Sequence, residues 1–218
     1  MAEADTASRR AWWRVVLITP GDRPAEATAR LARACLDGGV TAVLLREPAM
    51  AFDARRRLAE QLRGDTSAAG AALIVSRDVD LALDVGADGV QLGHGSVSVA
   101  EARVRGAAQG APLAVGRSAH WPLTAEDDAA DALMLSPFAA TPRSHPRPLL
   151  TDEQVAAVLA RAAGRPVVAL GGVTVEHVPR LDPGLAGVAV IRALAGADDP
   201  TAAAAALRRA VEARGAGA

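Results

Sequence analysis

The segment Gly116-Arg117-Ser118-Ala119-His120 contains the side chain best suited to moving a proton. It directly follows a short apolar run, residues 113–115, of the kind that forms a buried strand. An imidazole can both accept a proton and return it, so we take His120 as the candidate catalytic base. His94, which lies between two glycines after another apolar run, is a weaker candidate, because an isolated loop histidine is usually only exposed.

Two other strand ends predict a phosphate site. Gly171 and Gly172 follow one apolar run, and Ile191 and Arg192 lie at the end of the next. Glycines allow backbone N–H groups to approach phosphate oxygens, and a guanidinium group binds such oxygens in pairs. These four residues are therefore the candidate phosphate-binding set, although a glycine pair can also serve simply as a turn.

Further polar residues at or beyond the ends of apolar runs complete a candidate substrate-binding set. They are Arg46, Arg117, Ser118 and Thr141. Guanidinium and hydroxyl groups suit a phosphorylated or carboxylated small molecule.

We predict neither a metal site nor a bound cofactor. A magnesium site requires one or two carboxylates facing the substrate phosphates, and Glu47 and Asp78 are the only acids just beyond an apolar run. Cys35 is the only cysteine, so no thiolate cluster can form. The chain has no lysine, which excludes catalysis through a lysine Schiff base.

The elements that must position these residues alternate regularly along the chain. Helical patterns lie between most of eight apolar runs, which cover residues 15–19, 42–45, 72–75, 89–92, 113–115, 132–135, 167–170 and 187–191. Eightfold strand–helix alternation predicts an α/β fold, a (β/α)8 TIM barrel, whose active site lies at the carboxyl ends of the strands. An open doubly wound sheet is the alternative. It usually requires a glycine-rich turn after the first strand, and Thr19-Pro20-Gly21-Asp22 does not match one.

Composition limits both the domain organisation and the partners. We predict a flexible tail over residues 1–13, one barrel domain over residues 14–213 and a C-terminal tail over residues 214–218. Half of the residues are hydrophobic and the net charge is −1, so a large core is available and neither nucleic acid nor an anionic membrane is expected as a partner. No segment resembles a signal peptide or a membrane span, and we expect a cytoplasmic protein.

Six motifs, in this order and spacing, resemble the family that includes thiamine phosphate synthase and the TenI-type thiazole tautomerase. The resemblance covers the chain from Val15 to about Val211. The motifs are Leu44-Leu45-Arg46-Glu47, Val79-Asp80-Leu81-Ala82-Leu83, Gly86-Ala87-Asp88-Gly89-Val90-Gln91-Leu92, Gly116-Arg117-Ser118-Ala119-His120, Thr141-Pro142 and Val167-Val168-Ala169-Leu170-Gly171-Gly172-Val173.

The resemblance implies a barrel enzyme of thiamine biosynthesis whose partner is a phosphorylated thiazole. The synthase branch joins a pyrimidine diphosphate to a thiazole phosphate and uses Mg²⁺, but its metal-ligand positions here hold Ser76-Arg77 and Ser96. The match is closer to the TenI branch, in which the histidine at the position of His120 shuttles the proton. We therefore expect a metal-independent tautomerase, an isomerase, in which Arg46 holds the substrate carboxylate.

Two alternatives remain open. The chain can be a divergent synthase, a transferase, in which case Mg²⁺ would be needed. It can also be a non-catalytic barrel that binds a thiazole or thiamine phosphate and regulates another protein. The sequence leaves the oligomeric state undetermined, and a homo-oligomer is compatible with it.

Overall fold

Eight parallel strands close into a barrel in which each strand pairs with its neighbours along the chain. The computed structural model describes residues 10–140 and 148–215. The strands are β1 Val15–Ile18, β2 Ala42–Leu45, β3 Ala72–Ser76, β4 Gly89–Leu92, β5 Ala114–Ala119, β6 Ala132–Leu135, β7 Val167–Leu170 and β8 Gly187–Val190. The barrel closes where β1 pairs in parallel with β8, with Val15 opposite Val188. The predicted (β/α)8 barrel is confirmed, and the open doubly wound sheet is excluded.

Helices follow the strands and cover the outside of the barrel. They are α1 Ala25–Asp37, α2 Phe52–Ala68, α3 Val79–Asp84, α4 Val99–Ala108, α5 Ala125–Ala129, α6 Asp152–Ala162, α7 Arg192–Ala195 and α8 Pro200–Gly215, with a 3₁₀ turn at Val178–Arg180. Asp78, Ser98 and Thr151 cap three of these helices by accepting hydrogen bonds from backbone N–H groups of the first turn. No helix in the described ranges is long and apolar enough to cross a membrane.

Strand residues alternate between two separate cores. Val15 and Leu17 belong to the core between the strands and the helices, whereas Val16 and Ile18 belong to a smaller core inside the barrel. The inner core also contains Trp13, which is only 3% exposed. Packed structure therefore begins before the predicted boundary at residue 14, because this large ring fills the barrel interior. At the other end, α8 extends to Gly215, beyond the predicted boundary at residue 213.

Strand β5 differs most from its prediction. The sequence indicated residues 113–115, but the strand runs from Ala114 to Ala119. The predicted strand ended too early because the apolar pattern stops at Gly116, Arg117 and Ser118. These three residues nevertheless lie within the sheet. The candidate motif thus lies mostly on a rigid strand, and only His120 lies just beyond it.

Candidate functional site

His120 lies at the barrel mouth, by which we mean the carboxyl ends of the strands and the segments that follow them. Its Nδ1 lies 3.0 Å from the carbonyl oxygen of Ser136 and 3.2 Å from the Ser136 hydroxyl oxygen. A carbonyl oxygen can only accept a hydrogen bond, so Nδ1 carries the proton in this arrangement. The other ring nitrogen, Nε2, then presents a lone pair. His120 has the geometry of a base, and its catalytic role stays a prediction.

Ser118 is connected to a buried amide inside the barrel. Gln91 is 3% exposed, and its Nε2 donates a hydrogen bond to Ser118 Oγ at 3.3 Å. Since residues of a strand alternate between its faces, Gly116 and Ser118 share the face of β5 that faces the barrel interior. His120 follows two residues after Ser118, just beyond the carboxyl end of the strand. Sequence reasoning missed Gln91, although a polar residue within the apolar run of β4 was a visible signal.

Arg117 lies on the opposite face of β5. Its Nε lies 3.4 Å from Oδ1 of Asp127, a 3%-exposed residue of α5, and its Nη1 donates to the carbonyl oxygen of Gly93 at 3.4 Å. The structure does not bring Arg117 to the other candidate residues, so the predicted substrate contact is not supported. Because β5 continues to Ala119, Arg117 lies within the strand, and its side chain is on the outer face with Asp127.

The predicted phosphate site is formed by two neighbouring strand ends. Gly171 and Gly172 have φ values of 96° and 68°, in the left-handed region. A Cβ atom at Gly172 would lie 2.7 Å from the carbonyl oxygen of Ala139, so glycine is also required for packing against the segment after β6. Within the described residues, the amide groups of Gly171, Gly172, Ile191 and Arg192 have no hydrogen-bond acceptor. Unpaired N–H groups at adjacent strand ends suit an anion.

Three arginines add positive charge to the mouth. Arg46 and Arg192 are exposed, and Arg77 donates a hydrogen bond from Nη2 to the carbonyl oxygen of His94 at 2.9 Å. None of the three forms a salt bridge with an Asp or Glu of the described residues. Arg77 also has a φ of 68°, a conformation that is unfavourable for a residue with a side chain. The last of the predicted substrate-binding residues, Thr141, lies outside the described residues.

The residues present do not fit a magnesium site. Asp78 accepts a hydrogen bond from the Leu81 amide and pairs with Arg55 at 3.0 Å, so both of its oxygens have partners. Ser96 accepts a hydrogen bond from the Gly93 amide at 3.0 Å. Over residues 10–140 and 148–215, no three His, Cys, Asp or Glu side chains are grouped as metal ligands would be.

Glu47 supports the entrance to the mouth between β1 and β2. It is 4% exposed, and its Oε1 accepts a hydrogen bond from the Gly21 amide at 3.3 Å. Burial raises the pKa of this carboxyl group, and hydrogen bonds from Thr19 and Gly21 oppose the rise. Thr19 in turn accepts a hydrogen bond from the backbone N–H of Arg46 at 2.7 Å. Glu47 and Thr19 thus connect the segment after β1 to the backbone of Arg46.

A cavity of about 390 Å³ adjoins this network and lies away from the predicted phosphate site. Its lining is Gly21, Asp22, Arg23, Pro24, Ala25, Glu47, Ala49, Met50 and Ala54. Sequence analysis did not predict a cavity here, because its walls come from two loops and the starts of two helices.

The barrel is closed and parallel, and its mouth contains arginines, glycine turns and unpaired amides. These features define the class of (β/α)8 barrels suited to phosphorylated ligands. The family described as thiamine monophosphate synthase matches residues 15–194. This chain therefore belongs to the thiamine phosphate synthase/TenI family, as the sequence motifs indicated. The matches do not specify the TenI branch.

The curated relatives are named as synthases. The chain is 33% identical to a thiamine-phosphate synthase of Haloquadratum walsbyi over 198 residues, which cover 86% of each chain. It is 40% identical to one of Deinococcus radiodurans over 211 residues, covering 90% of this chain and 71% of the relative. In three dimensions it resembles the thiamine phosphate pyrophosphorylase of Pyrococcus furiosus, with a TM-score of 0.80, 26% identity and coverage of 94% and 98% of the two chains.

Proposed function

We propose that this chain is a transferase of thiamine biosynthesis that joins a pyrimidine diphosphate to a thiazole phosphate and releases pyrophosphate. The observation that carries the proposal is the agreement over nearly the whole chain with relatives named as thiamine-phosphate synthases. The expectation of a tautomerase, made from the motifs alone, has no such support among these relatives.

The charges at the mouth are compatible with this reaction. The thiazole phosphate would bind the amides of Gly171, Gly172 and Ile191. Pyrophosphate leaves with the bonding electron pair, so cations near it stabilise the developing negative charge. Arg46 and Arg77 are two guanidinium groups available for that task, because neither pairs with a carboxylate of the described residues, and Arg192 stays with the phosphate site.

A second candidate is the metal-independent thiazole tautomerase. Two features favour it: the hydrogen bond from His120 Nδ1 to Ser136, and the poor fit of the mouth to Mg²⁺. The tautomerase reaction removes a ring proton and adds one to an exocyclic carbon, and a single imidazole can perform both steps. Aromatisation of the ring drives this reaction.

Two assays on the purified protein separate the candidates. The first measures thiamine phosphate formed from pyrimidine diphosphate and thiazole phosphate, with Mg²⁺ and with EDTA. The second follows the absorbance rise as the non-aromatic thiazole carboxylate phosphate becomes aromatic. Coupling supports the transferase, and its absence together with rapid aromatisation supports the tautomerase. If the protein binds thiazole phosphate but accelerates neither reaction, it is a non-catalytic binding protein.

A further inference from the structure

Gln91 is a polar side chain inside an otherwise apolar part of the barrel. It is 3% exposed, and its Oε1 is buried with no hydrogen-bond partner among residues 10–140 and 148–215. The neighbouring inner core consists of residues such as Ile74 and Met134. Removing an amide from water without replacing its hydrogen bonds destabilises the folded state. Packing alone therefore does not explain why an amide occupies this position.

The strand next to Gln91 is adapted to hold its side chain. A Cβ atom at Gly116 would lie 2.2 Å from Gln91 Oε1 and 3.2 Å from the Trp13 ring. Any other residue at position 116 would displace the amide from its place over β5. The glycine therefore provides the space that allows Gln91 to reach Ser118.

We infer that Gln91 is a positioning residue that directs the Ser118 hydroxyl towards the ligand. The Gln91 Nε2–H group donates to Ser118 Oγ at 3.3 Å and so occupies one of its acceptor sites. The hydroxyl proton of Ser118 is then available for donation into the mouth. Two residues further along the chain, just beyond β5, His120 offers an accepting nitrogen, because its Nδ1 is bound to Ser136.

The mouth therefore presents one donor from β5 and one acceptor just beyond the end of that strand, two residues apart along the chain. This pair suits a small heteroaromatic ring that has both an accepting atom and an acidic proton, while the phosphate of the ligand lies at the ends of β7 and β8. The inference rests on the proposed function, from which the thiazole phosphate is taken as the ligand.

The test replaces Gln91 by methionine, which has a similar length and cannot donate a hydrogen bond. Gln91→Met is expected to keep or raise the Tm, because it removes a buried amide oxygen with no partner. It should weaken binding of thiazole phosphate, measured by calorimetry, by roughly tenfold, the effect of losing about one hydrogen bond. Gln91→Glu, whose ionised carboxylate can only accept, should weaken binding at least as much at a pH where this carboxyl is ionised. Gln109→Met, an exposed glutamine on α4's C-terminal side, is the matched control and should change neither quantity.

A double-mutant cycle identifies the path of the effect. If Gln91 acts through Ser118, Gln91→Met should weaken binding little further once Ser118→Ala is present. Fully additive losses would overturn the inference. So would a Tm of Gln91→Met that falls by several degrees with unchanged affinity, because that result assigns Gln91 a structural role.

The proposed function and this inference fail in different ways. A wild-type protein that binds thiazole phosphate and catalyses neither reaction refutes the function, while the affinities and Tm values still decide the role of Gln91. A wild-type protein that does not bind thiazole phosphate refutes both.

Discussion

The substitution His120→Gln separates proton transfer from binding. Glutamine can donate from its amide nitrogen to the Ser136 carbonyl oxygen, which now accepts from His120 Nδ1 at 3.0 Å. It retains hydrogen-bonding capacity and approximate size, but it cannot exchange a proton as imidazole does. The ground state should therefore change little, and the proton-transfer step should change strongly.

The expected magnitudes differ enough to be measured. If the substitution weakens the contact with Ser136, the free energy of unfolding falls by at most about 1 kcal/mol, the usual contribution of one hydrogen bond. If the chain is the tautomerase and His120 is its base, loss of general acid–base catalysis lowers kcat for aromatisation by at least about 100-fold, which corresponds to about 2.7 kcal/mol in activation free energy. KM for the non-aromatic thiazole carboxylate phosphate should stay within about threefold of the wild type.

The assay is the absorbance rise on aromatisation, recorded for wild type and variant at one pH, with the coupling reaction measured in parallel. His94→Gln removes the other histidine imidazole expected at the mouth and should change kcat less than about threefold. Undiminished aromatisation by His120→Gln would remove His120 from the proton transfer. The coupling reaction needs no net proton transfer by the His120 imidazole. A similar 100-fold loss in the coupling reaction would therefore show that His120 acts on binding or folding instead.

Three further predictions concern residues other than His120. Gly172→Ala should weaken thiazole phosphate binding more than binding of the unphosphorylated thiazole, because its Cβ would lie 2.7 Å from the Ala139 carbonyl oxygen and the φ of 68° suits glycine; equal losses for both ligands would refute the phosphate site. Burial raises the pKa of Glu47, so the folded state disfavours its ionised form, and the wild type gains stability as the pH falls through that pKa. Denaturant unfolding measures the free energy of unfolding of Glu47→Gln minus that of the wild type. This difference should be more favourable to the variant at pH 7 than at pH 4, and the reverse order would contradict the raised pKa. Burial also raises the pKa of Cys35 to about 12, so its thiol should react with a disulfide reagent only after unfolding, and rapid reaction of the native protein would be inconsistent with this.

The barrel could be predicted from sequence because its strands are continuous apolar runs. β2, β4, β6 and β7 match their predicted residues at both ends, since both faces of these strands are buried and the pattern stops where burial stops. The same rule failed for β5, where polar residues continue the strand. Arg117 stays within β5 because Asp127 pairs with it on the outer face.

The candidate site was predicted less completely, because its organisation depends on contacts between distant segments. His120 and the two glycines follow strand ends and could be found by position alone. The hydrogen bond from Gln91 to Ser118 and the pairing of Arg55 with Asp78 join residues from different strands and helices. No periodic pattern in one segment indicates which side chain will lie opposite another.

The pairing of β1 with β8 has a consequence for how the protein is made. β1 leaves the ribosome before the other seven strands, and β8, which completes its hydrogen bonding, leaves after all of them. Until then one edge of the growing sheet has unpaired N–H and C=O groups, and such an edge can pair with another chain. Contacts between residues far apart in the sequence also form slowly, because closing a long loop costs conformational entropy. Translation that stalls before Gly187 would therefore leave an aggregation-prone open sheet, and chaperone demand should be greatest at that stage of synthesis.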